Sequence, residues 1–216
     1  PGWWLLSPDL GDLSSSAGEQ HLHHTLEQWR GRHGLTASAI GCDQHPGYAS
    51  SQLAAALAKA EQLPLGRLQH HHAHLLAVMA EHGLEGSAIG VAWDGAGHGA
   101  DGSLWGGECL RVNAAGYQRL AHLRPFPLPG GEAALREPRR AALGLLIAAF
   151  GDQGAARWPA FHAEELGVLQ RAMASQLNSP LCSSVGRLFD GVAALLGLPQ
   201  RCSYEGQAAM ALEALA

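Results

Sequence analysis

The first half of the chain alternates helix-like and strand-like apolar patterns. Ranges 17–33 and 48–62 have the composition of helices, and a third helix begins near His70 and ends before Gly83. Short apolar runs bounded by glycine and polar residues predict strands at 37–42, 65–69, 88–93, 103–112 and 117–123. This alternation predicts an α/β lobe over residues 1–124.

The second half has a different pattern, in which long apolar periodicities predict only helices. We expect them at 132–150, 160–178, 185–198 and 204–216. The proline- and glycine-rich stretch 125–131 separates the two patterns and is the predicted boundary. Residues 125–216 are therefore expected to be a mainly helical segment that is incomplete at its C-terminus.

A histidine-rich run, Gln-His-His-His-Ala-His at residues 69–74, opens the third predicted helix. His70 and His74 are four residues apart and lie on one helix face, which lets two imidazoles share one divalent metal. Imidazole suits iron or zinc, among others. His71 and His72 are expected to point elsewhere. A surface histidine cluster that binds nothing is the alternative.

A carboxylate and a run of glycines follow the predicted buried strand 88–93. Asp94 is placed at the carboxyl end of that strand, where it is the third candidate metal ligand. Residues 95–102 are predicted to form a glycine-rich loop whose amides hold a phosphate, with Gly95, Gly97, Gly99, Asp101 and Gly102 as candidate binding residues. The loop is neither a Walker loop nor a dinucleotide fingerprint, since it lacks Gly-Lys-Ser/Thr and no helix follows it. A hairpin turn without a ligand is the alternative.

The composition narrows the class of protein. With 47% hydrophobic residues and a net charge of −5, the chain has material for a core and no basic surface for nucleic acid. No apolar run approaches the ~18 residues of a membrane span, and the start at Trp3 lacks a signal peptide's basic region. Four widely spaced cysteines predict free thiols in a reducing, cytoplasmic setting.

Several charged residues have two interpretations. Arg136, Arg139 and Arg140 have the chemistry to clamp an anion, or they pair with Glu132 and Glu137. We expect Arg140 to be ion-paired and leave both roles open for Arg136.

Six segments, in order, resemble the carbamoyltransferase domain of the hydrogenase maturation family HypF. The histidine run continues into Asp94-Gly95 and Trp105-Gly106-Gly107-Glu108, as in that family. The other five segments are 7–13, 42–48, 126–132 with 136–140 behind it, 183–190 and 204–209. The chain departs from the family pattern at Gln44, Gly47, His98 and Arg139.

The resemblance implies an actin-like, ribonuclease-H-type fold, of which this chain would be the N-terminal lobe and part of the helical continuation. It implies transfer of a carbamoyl group from carbamoyl-adenylate to the C-terminal cysteine thiol of the acceptor HypE, for the cyanide ligands of nickel-iron hydrogenase. Carbamoyl phosphate and ATP would be used by an adjacent domain. His70, His74 and Asp94 would be catalytic metal ligands, and the nucleotide site would include Gly130, Gly131, Arg136, Glu205 and Gly206.

The resemblance leaves other functions open. A related transferase that carbamoylates a hydroxyl, or makes threonylcarbamoyl-modified tRNA, would share the histidine pair. An actin-like sugar kinase would have no use for that pair. The chain begins at Pro1 without Met and stops at Ala216 inside a predicted helix, so we expect part of a longer protein. A truncated lobe that binds without catalysing is therefore also an alternative.

Overall fold

The structure of the chain is a computed structural model. It describes residues 5–11, 13, 15–151, 153–156 and 158–215. Asp12 of the 7–13 segment, Trp3 and the two terminal residues of the chain lie outside this set.

The first compact unit covers residues 1–70 and contains one βαβ motif. Helix α1 (Ser16–His33) begins where the Ser15 side chain accepts from the Gly18 amide, and it ends at left-handed Gly34. Strand β1 (Ile40–Asp43), helix α2 (Ala49–Glu61) and strand β2 (Leu65–Leu68) follow. The two strands are parallel, with Asp43 opposite Leu68. The predicted strand 37–42 is therefore displaced, because pairing with β2 begins only at Ile40.

The second unit, residues 71–216, is built on a mixed sheet. Helix α3 (His70–Glu81) leads into three antiparallel strands, β3 (Ala88–His98), β4 (Leu104–Asn113) and β5 (Gly116–His122). Two short strands that the sequence analysis missed extend the sheet from the other end of β4: β6 (Phe126–Pro127) and β7 (Leu181–Cys182). Each is two residues long and has no periodicity to detect.

Strand β3 differs from its prediction in burial and in length. Its large residues Ile89, Val91 and Trp93 are 64%, 57% and 71% exposed, so the strand is not buried on both faces. The small residues alternate with them, because α3 packs on that side: a Cβ at Gly90 would lie 2.6 Å from Leu75. The strand continues to His98, so the predicted loop 95–102 is reduced to a turn at 99–103.

Helix α3 is fixed to the sheet by an apolar cluster. Leu75, Leu76 and Met79 pack against Trp105, Leu110 and Val112 of β4. This confirms the apolar face that the sequence predicted for α3. The histidines at the start of the helix are thereby held on a rigid element.

The remaining helices are shorter than predicted. They are α4 (Ala133–Arg136), α5 (Pro138–Phe150), α6 (Gln153–Ala156), α7 (Ala163–Ala174), α8 (Val185–Leu195) and α9 (Gln207–Glu213). The predicted helix 132–150 is interrupted at Glu137, whose φ of −123° is not helical, because Pro138 disfavours helical backbone in the residue before it. Pro138 then begins α5, a position where its missing N–H costs nothing.

The division into units falls between the first two residues of α3, whereas the predicted boundary 125–131 lies within the second unit. The functional division into 1–124 and 125–216 stays a prediction. Cys42, Cys109, Cys182 and Cys202 are free thiols, as expected. Among the helices that the structure describes, none has both the length and the apolar character needed to cross a bilayer.

Candidate metal centre and neighbouring glycine turn

Two histidines of α3 and one carboxylate of β3 form a potential metal-binding group. His70 and His74 occupy successive turns of the helix, and Asp94 lies in the strand. One ligand atom from each of the three lies within 4.8 Å of the others, with His74 exposed and the other two half-buried. Three such donors are the number that catalytic zinc sites commonly take from the protein, which leaves a position for substrate.

His70 is held by a second carboxylate. Its Nδ1 lies 2.6 Å from Oδ2 of Asp43, the last residue of β1. Because Nδ1 is engaged, coordination by His70 would use Nε2. Paired carboxylate and imidazole groups of this kind orient many metal-ligating histidines.

The two middle histidines of the run are buried, and one of them corrects the sequence analysis. His71 does not point elsewhere, since its Nε2 lies 3.4 Å from Oδ2 of Asp94. His72 does turn away, and its Nε2 lies 3.0 Å from the Asn113 carbonyl oxygen. Both are placed four residues before a leucine of the apolar face, so they share the buried side of α3.

Asp94 lies in an irregular part of the sheet. Residues 94–96 of β3 stand opposite the single residue Gly106 of β4, since Trp93 pairs with Gly107 and Gly97 pairs with Trp105. Gly106 has a φ of 154°, and a Cβ there would lie 2.6 Å from the Asp94 carbonyl oxygen. A bulge of this kind re-aims side chains. The Asp94 carboxylate accepts from the Gly95 amide through Oδ1 at 2.6 Å.

The start of α8 packs on the same segment. Ser184, the N-cap of α8, donates from Oγ to the carbonyl oxygens of Asp94 and Gly95 at 2.9 and 2.5 Å. A Cβ on Gly186 would lie 2.8 Å from the Gly95 Cα, so only glycine allows this approach. The backbone that carries Asp94 is therefore held between β4 and α8.

The glycine turn is braced by its own hydrogen bonds. The Gly99 amide donates to the Ser103 carbonyl, and the Gly102 amide donates to the Gly99 carbonyl. Asp101 Oδ1 accepts from the Ser103 hydroxyl at 2.6 Å and from the Trp105 indole at 3.0 Å. Burial raises the pKa of Asp101, but the bonds from Ser103 and Trp105 outweigh it and hold that pKa below its ordinary value. A phosphate-binding role for Gly95, Gly97, Gly99, Asp101 and Gly102 stays a prediction.

A buried ion pair supports the strand beneath this turn. Glu108 is fully buried, accepts from Arg119 Nε at 2.7 Å, and accepts from the Ser183 hydroxyl. Arg119 also bonds Asp101 at 3.1 Å, and its guanidinium lies 4.0 Å from the Trp105 ring centre. Burial raises the pKa of Glu108, yet the bonds from Arg119 and Ser183 hold it below its ordinary value.

The residues suggested by the resemblance for nucleotide binding fall in two places. Gly130 and Gly131 have positive φ, and side chains there would collide with Arg140 and Asn178. The Arg136 carbonyl accepts from the Cys202 amide.

Glu205 forms the second place, since its Oε1 would lie 3.6 Å from a Cβ on Gly95. It precedes α9 rather than beginning it, because Gly206 is the left-handed N-cap. The sequence thus placed Glu205 too early in a helix.

The other two arginines of the 136–140 segment are ion-paired. Arg140 donates to Glu137 at 2.9 Å, as expected, and Arg139 donates to Glu137 and to Glu165. Arg139 also lies over the Phe161 ring. Burial raises the pKa of Glu137, but Arg139 and Arg140 together hold it below its ordinary value.

Known families match both parts of the chain. A family model described as "HypF Kae1-like domain" matches residues 2–81, and one described as "Carbamoyltransferase, Kae1-like Domain, second subdomain" matches residues 90–216. The mixed α/β architecture is thus that of a Kae1-like domain, a class with the actin-like ATPase fold. The chain belongs to the HypF family, in which it corresponds to the Kae1-like domain. This confirms the resemblance noted in the sequence.

Individual relatives agree with this assignment. The chain is 41% identical to "Carbamoyltransferase HypF" of Synechocystis sp. and 43% identical to "Carbamoyltransferase HypF2" of Cupriavidus necator, with 97% and 98% of this chain aligned. A crystal structure described as full-length HypF in the phosphate- and nucleotide-bound form superposes with a TM-score of 0.87 at 36% identity over 95% of this chain. The chain spans 29%, 26% and 27% of these three proteins.

Proposed function

We propose that the chain is the carbamoyl-transfer site of a hydrogenase maturation enzyme. The observation that carries the proposal is the convergence of His70, His74 and Asp94 within 4.8 Å, in a chain of the HypF family. Charge and fold favour this function over the tRNA-modifying alternative, because a chain of net charge −5 offers no basic surface for RNA.

The donor set fits a divalent metal, iron or zinc. Two imidazoles and a carboxylate match known catalytic sites, and the Asp43 pairing supplies the orientation that a ligating imidazole needs. When bound, such an ion would supply Lewis acidity toward the carbamoyl or phosphate oxygen. His71, 3.4 Å from Asp94, would hold that carboxylate in place.

The substrate of the proposed reaction is carbamoyl-adenylate, made from carbamoyl phosphate and ATP by an adjacent domain. The thiolate of a HypE-like acceptor attacks the carbamoyl carbon and forms a C–S bond. The C–O bond to the adenylate phosphate breaks, AMP leaves with the electron pair, and the thiol proton goes to solvent. The acceptor brings the nucleophile, so the chain has to bind, orient and exclude water.

We assign the adenylate to the segment next to Asp94. Its backbone is held rigidly by Ser184, and Glu205 lies beside Gly95. Gly97 and Gly99 of the same strand and turn, with Gly130, Gly131, Arg136 and Gly206 from the following segments, complete the proposed nucleotide site. Because the four cysteines are free thiols, we extend the proposal to a cytoplasmic setting.

Metal binding is the first test of the proposal. The purified 216-residue chain is expected to retain about one divalent ion per chain, measured by elemental analysis after dialysis. His70→Ala, His74→Ala and Asp94→Asn are expected to lose it. His23→Ala, an exposed histidine of α1, is the matched control and should keep it. Equal metal content in all five proteins would contradict the site.

Transfer is tested in the length of protein that the relatives have. A chimaera in which this chain replaces the matched segment of the Synechocystis protein is given carbamoyl phosphate, ATP and an acceptor peptide that ends in cysteine. We expect the peptide to gain one carbamoyl group, and His74→Ala to abolish the gain. A chimaera that binds metal but transfers nothing, beside an active unmodified Synechocystis protein, would favour the binding-only alternative.

A further inference from the structure

The turn after β1 presents one carboxylate with both of its oxygens engaged. Oδ1 of Asp43 accepts from the His45 amide at 2.7 Å, and Oδ2 lies 2.6 Å from Nδ1 of His70. The Ser51 hydroxyl of α2 donates to the Asp43 carbonyl oxygen at 3.0 Å. Backbone and side chain of Asp43 are thus both fixed.

The turn itself is stiffened by an aromatic contact. The His45 ring stacks on Tyr48, with ring centres 4.3 Å apart, and its Nδ1 accepts from the Gly47 amide. A Cβ on Gly47 would lie 2.9 Å from the His45 ring, so the departure from the family pattern at this position removes a clash. The segment 43–48 therefore behaves as a small preorganised support for Asp43.

We propose that Asp43 is a positioning residue for His70. By accepting the Nδ1 proton, it selects the tautomer in which Nε2 carries the lone pair and fixes the rotation of the ring. The inference rests on the proposed function, because a lone pair held in one direction is useful when a ligand is to be bound there. Nothing in the sequence spacing, 27 residues from Asp43 to His70, announces this pair.

The state of the His70 ring can be read without any metal. In the metal-free chain labelled with ¹⁵N-histidine, at about two pH units above the ordinary histidine pKa of ~6.5, the His70 signals should show the Nδ1–H tautomer. They are assigned by their absence in His70→Ala. Asp43→Ala should move them toward the Nε2–H tautomer, whereas the His74 signals should stay unchanged.

Metal affinity is the second readout. Competition with a chromophoric chelator for Zn²⁺ should show that Asp43→Ala weakens binding by about 10- to 100-fold, the range typical of lost outer-shell partners. Asp43→Asn keeps the side-chain shape and an acceptor oxygen, so its affinity should lie between those of the other two proteins. Glu27→Ala, an exposed carboxylate of α1, is the control and should bind like the unaltered chain.

The outcomes separate the inference from the function it rests on. If the unaltered chain binds Zn²⁺ and folded Asp43→Ala binds it equally well, with the His70 tautomer unchanged, the positioning role is wrong while the metal site stands. If the unaltered chain binds no Zn²⁺, the metal site and the positioning role fall together. Should Asp43→Ala not fold, Asp43→Asn decides, and unaltered Zn²⁺ affinity in that variant would overturn the inference.

Discussion

Arg119 on β5 neutralises Glu108 on β4, where the carboxylate is fully buried and the Nε to Oε2 distance is 2.7 Å. The same guanidinium reaches Asp101 in the glycine turn and covers the Trp105 ring. One side chain therefore links the second strand of the ribbon to the turn that follows Asp94. This arrangement makes Arg119 structural in a way that exposed arginines are not.

Removal of Arg119 should be strongly destabilising. Arg119→Ala leaves a buried carboxylate without its cation, and we expect the free energy of unfolding in urea to fall by about 3–5 kcal/mol. Arg111→Ala is the matched control on the same strand pair. Arg111 is exposed and only bonds Gln118, so its loss should cost less than about 1 kcal/mol. Equal losses in the two variants would contradict the role of Arg119.

The same pair predicts how stability depends on acid. The pKa of Glu108 is depressed in the folded state, so its contribution is present above the ordinary glutamate value of ~4.3 and is lost as pH falls through the lower folded value. Glu137 contributes with the same sign. Urea midpoints between about pH 7 and pH 3 should fall less steeply in Glu108→Gln than in the unaltered chain. Parallel slopes would show that Glu108 does not titrate as described.

Two histidines of α3 should respond in opposite ways to removal. His72→Ala loses a buried contact with the Asn113 carbonyl, so stability should fall by about 1–3 kcal/mol while Zn²⁺ affinity changes little. His74→Ala removes an exposed ring, so Zn²⁺ binding should be lost while stability changes by less than about 0.5 kcal/mol. Chelator competition and urea unfolding on both variants check this. The reverse pattern would exchange their roles.

Gly186 should be essential for the position of Asp94. In Gly186→Ala the new Cβ would meet the Gly95 Cα at 2.8 Å, and because the obstacle is backbone, the segment must shift. We expect weaker Zn²⁺ binding together with lower stability. Gly116→Ala, where a Cβ has open space, is the control and should change neither. Unchanged Zn²⁺ affinity in Gly186→Ala would show that α8 does not hold Asp94.

Cys182 should be the least reactive thiol of the chain. Burial raises its pKa to about 11, so roughly one molecule in a thousand carries a thiolate at pH 8. Mass spectrometry after brief iodoacetamide treatment should find Cys182 unmodified in the native chain and modified in urea. The half-buried Cys42 serves as the comparison. Rapid native labelling of Cys182 would contradict its burial.

The helix of the site could be predicted because its information is local. An i, i+4 histidine pair ahead of an apolar stripe is visible in twelve residues, and His70 and His74 are brought together as expected. The same periodicity also contained the correction: His71 and His72 precede Leu75 and Leu76 by four, which puts them on the buried face. That signal was present and was not used.

The remainder of the site depends on tertiary pairing. The contact of Asp43 with His70 follows from the parallel register of β1 and β2, and the position of Asp94 follows from the register of β4. In β3 the alternation of large and small residues did indicate a one-sided strand. Ile89, Val91 and Trp93 were nevertheless predicted to be buried, since a short apolar run alone does not say which face is covered.

The bulge at residues 94–96 restricts chain length as well as chemistry. A surface loop absorbs an inserted or deleted residue by changing its path, but here the ladder resumes at Gly97 in fixed register. Because successive strand residues face opposite sides, a change of one residue before Asp94 would carry its carboxylate to the wrong side of the sheet. Exposed Ala96 and its neighbours can therefore vary in identity more readily than this stretch can vary in number.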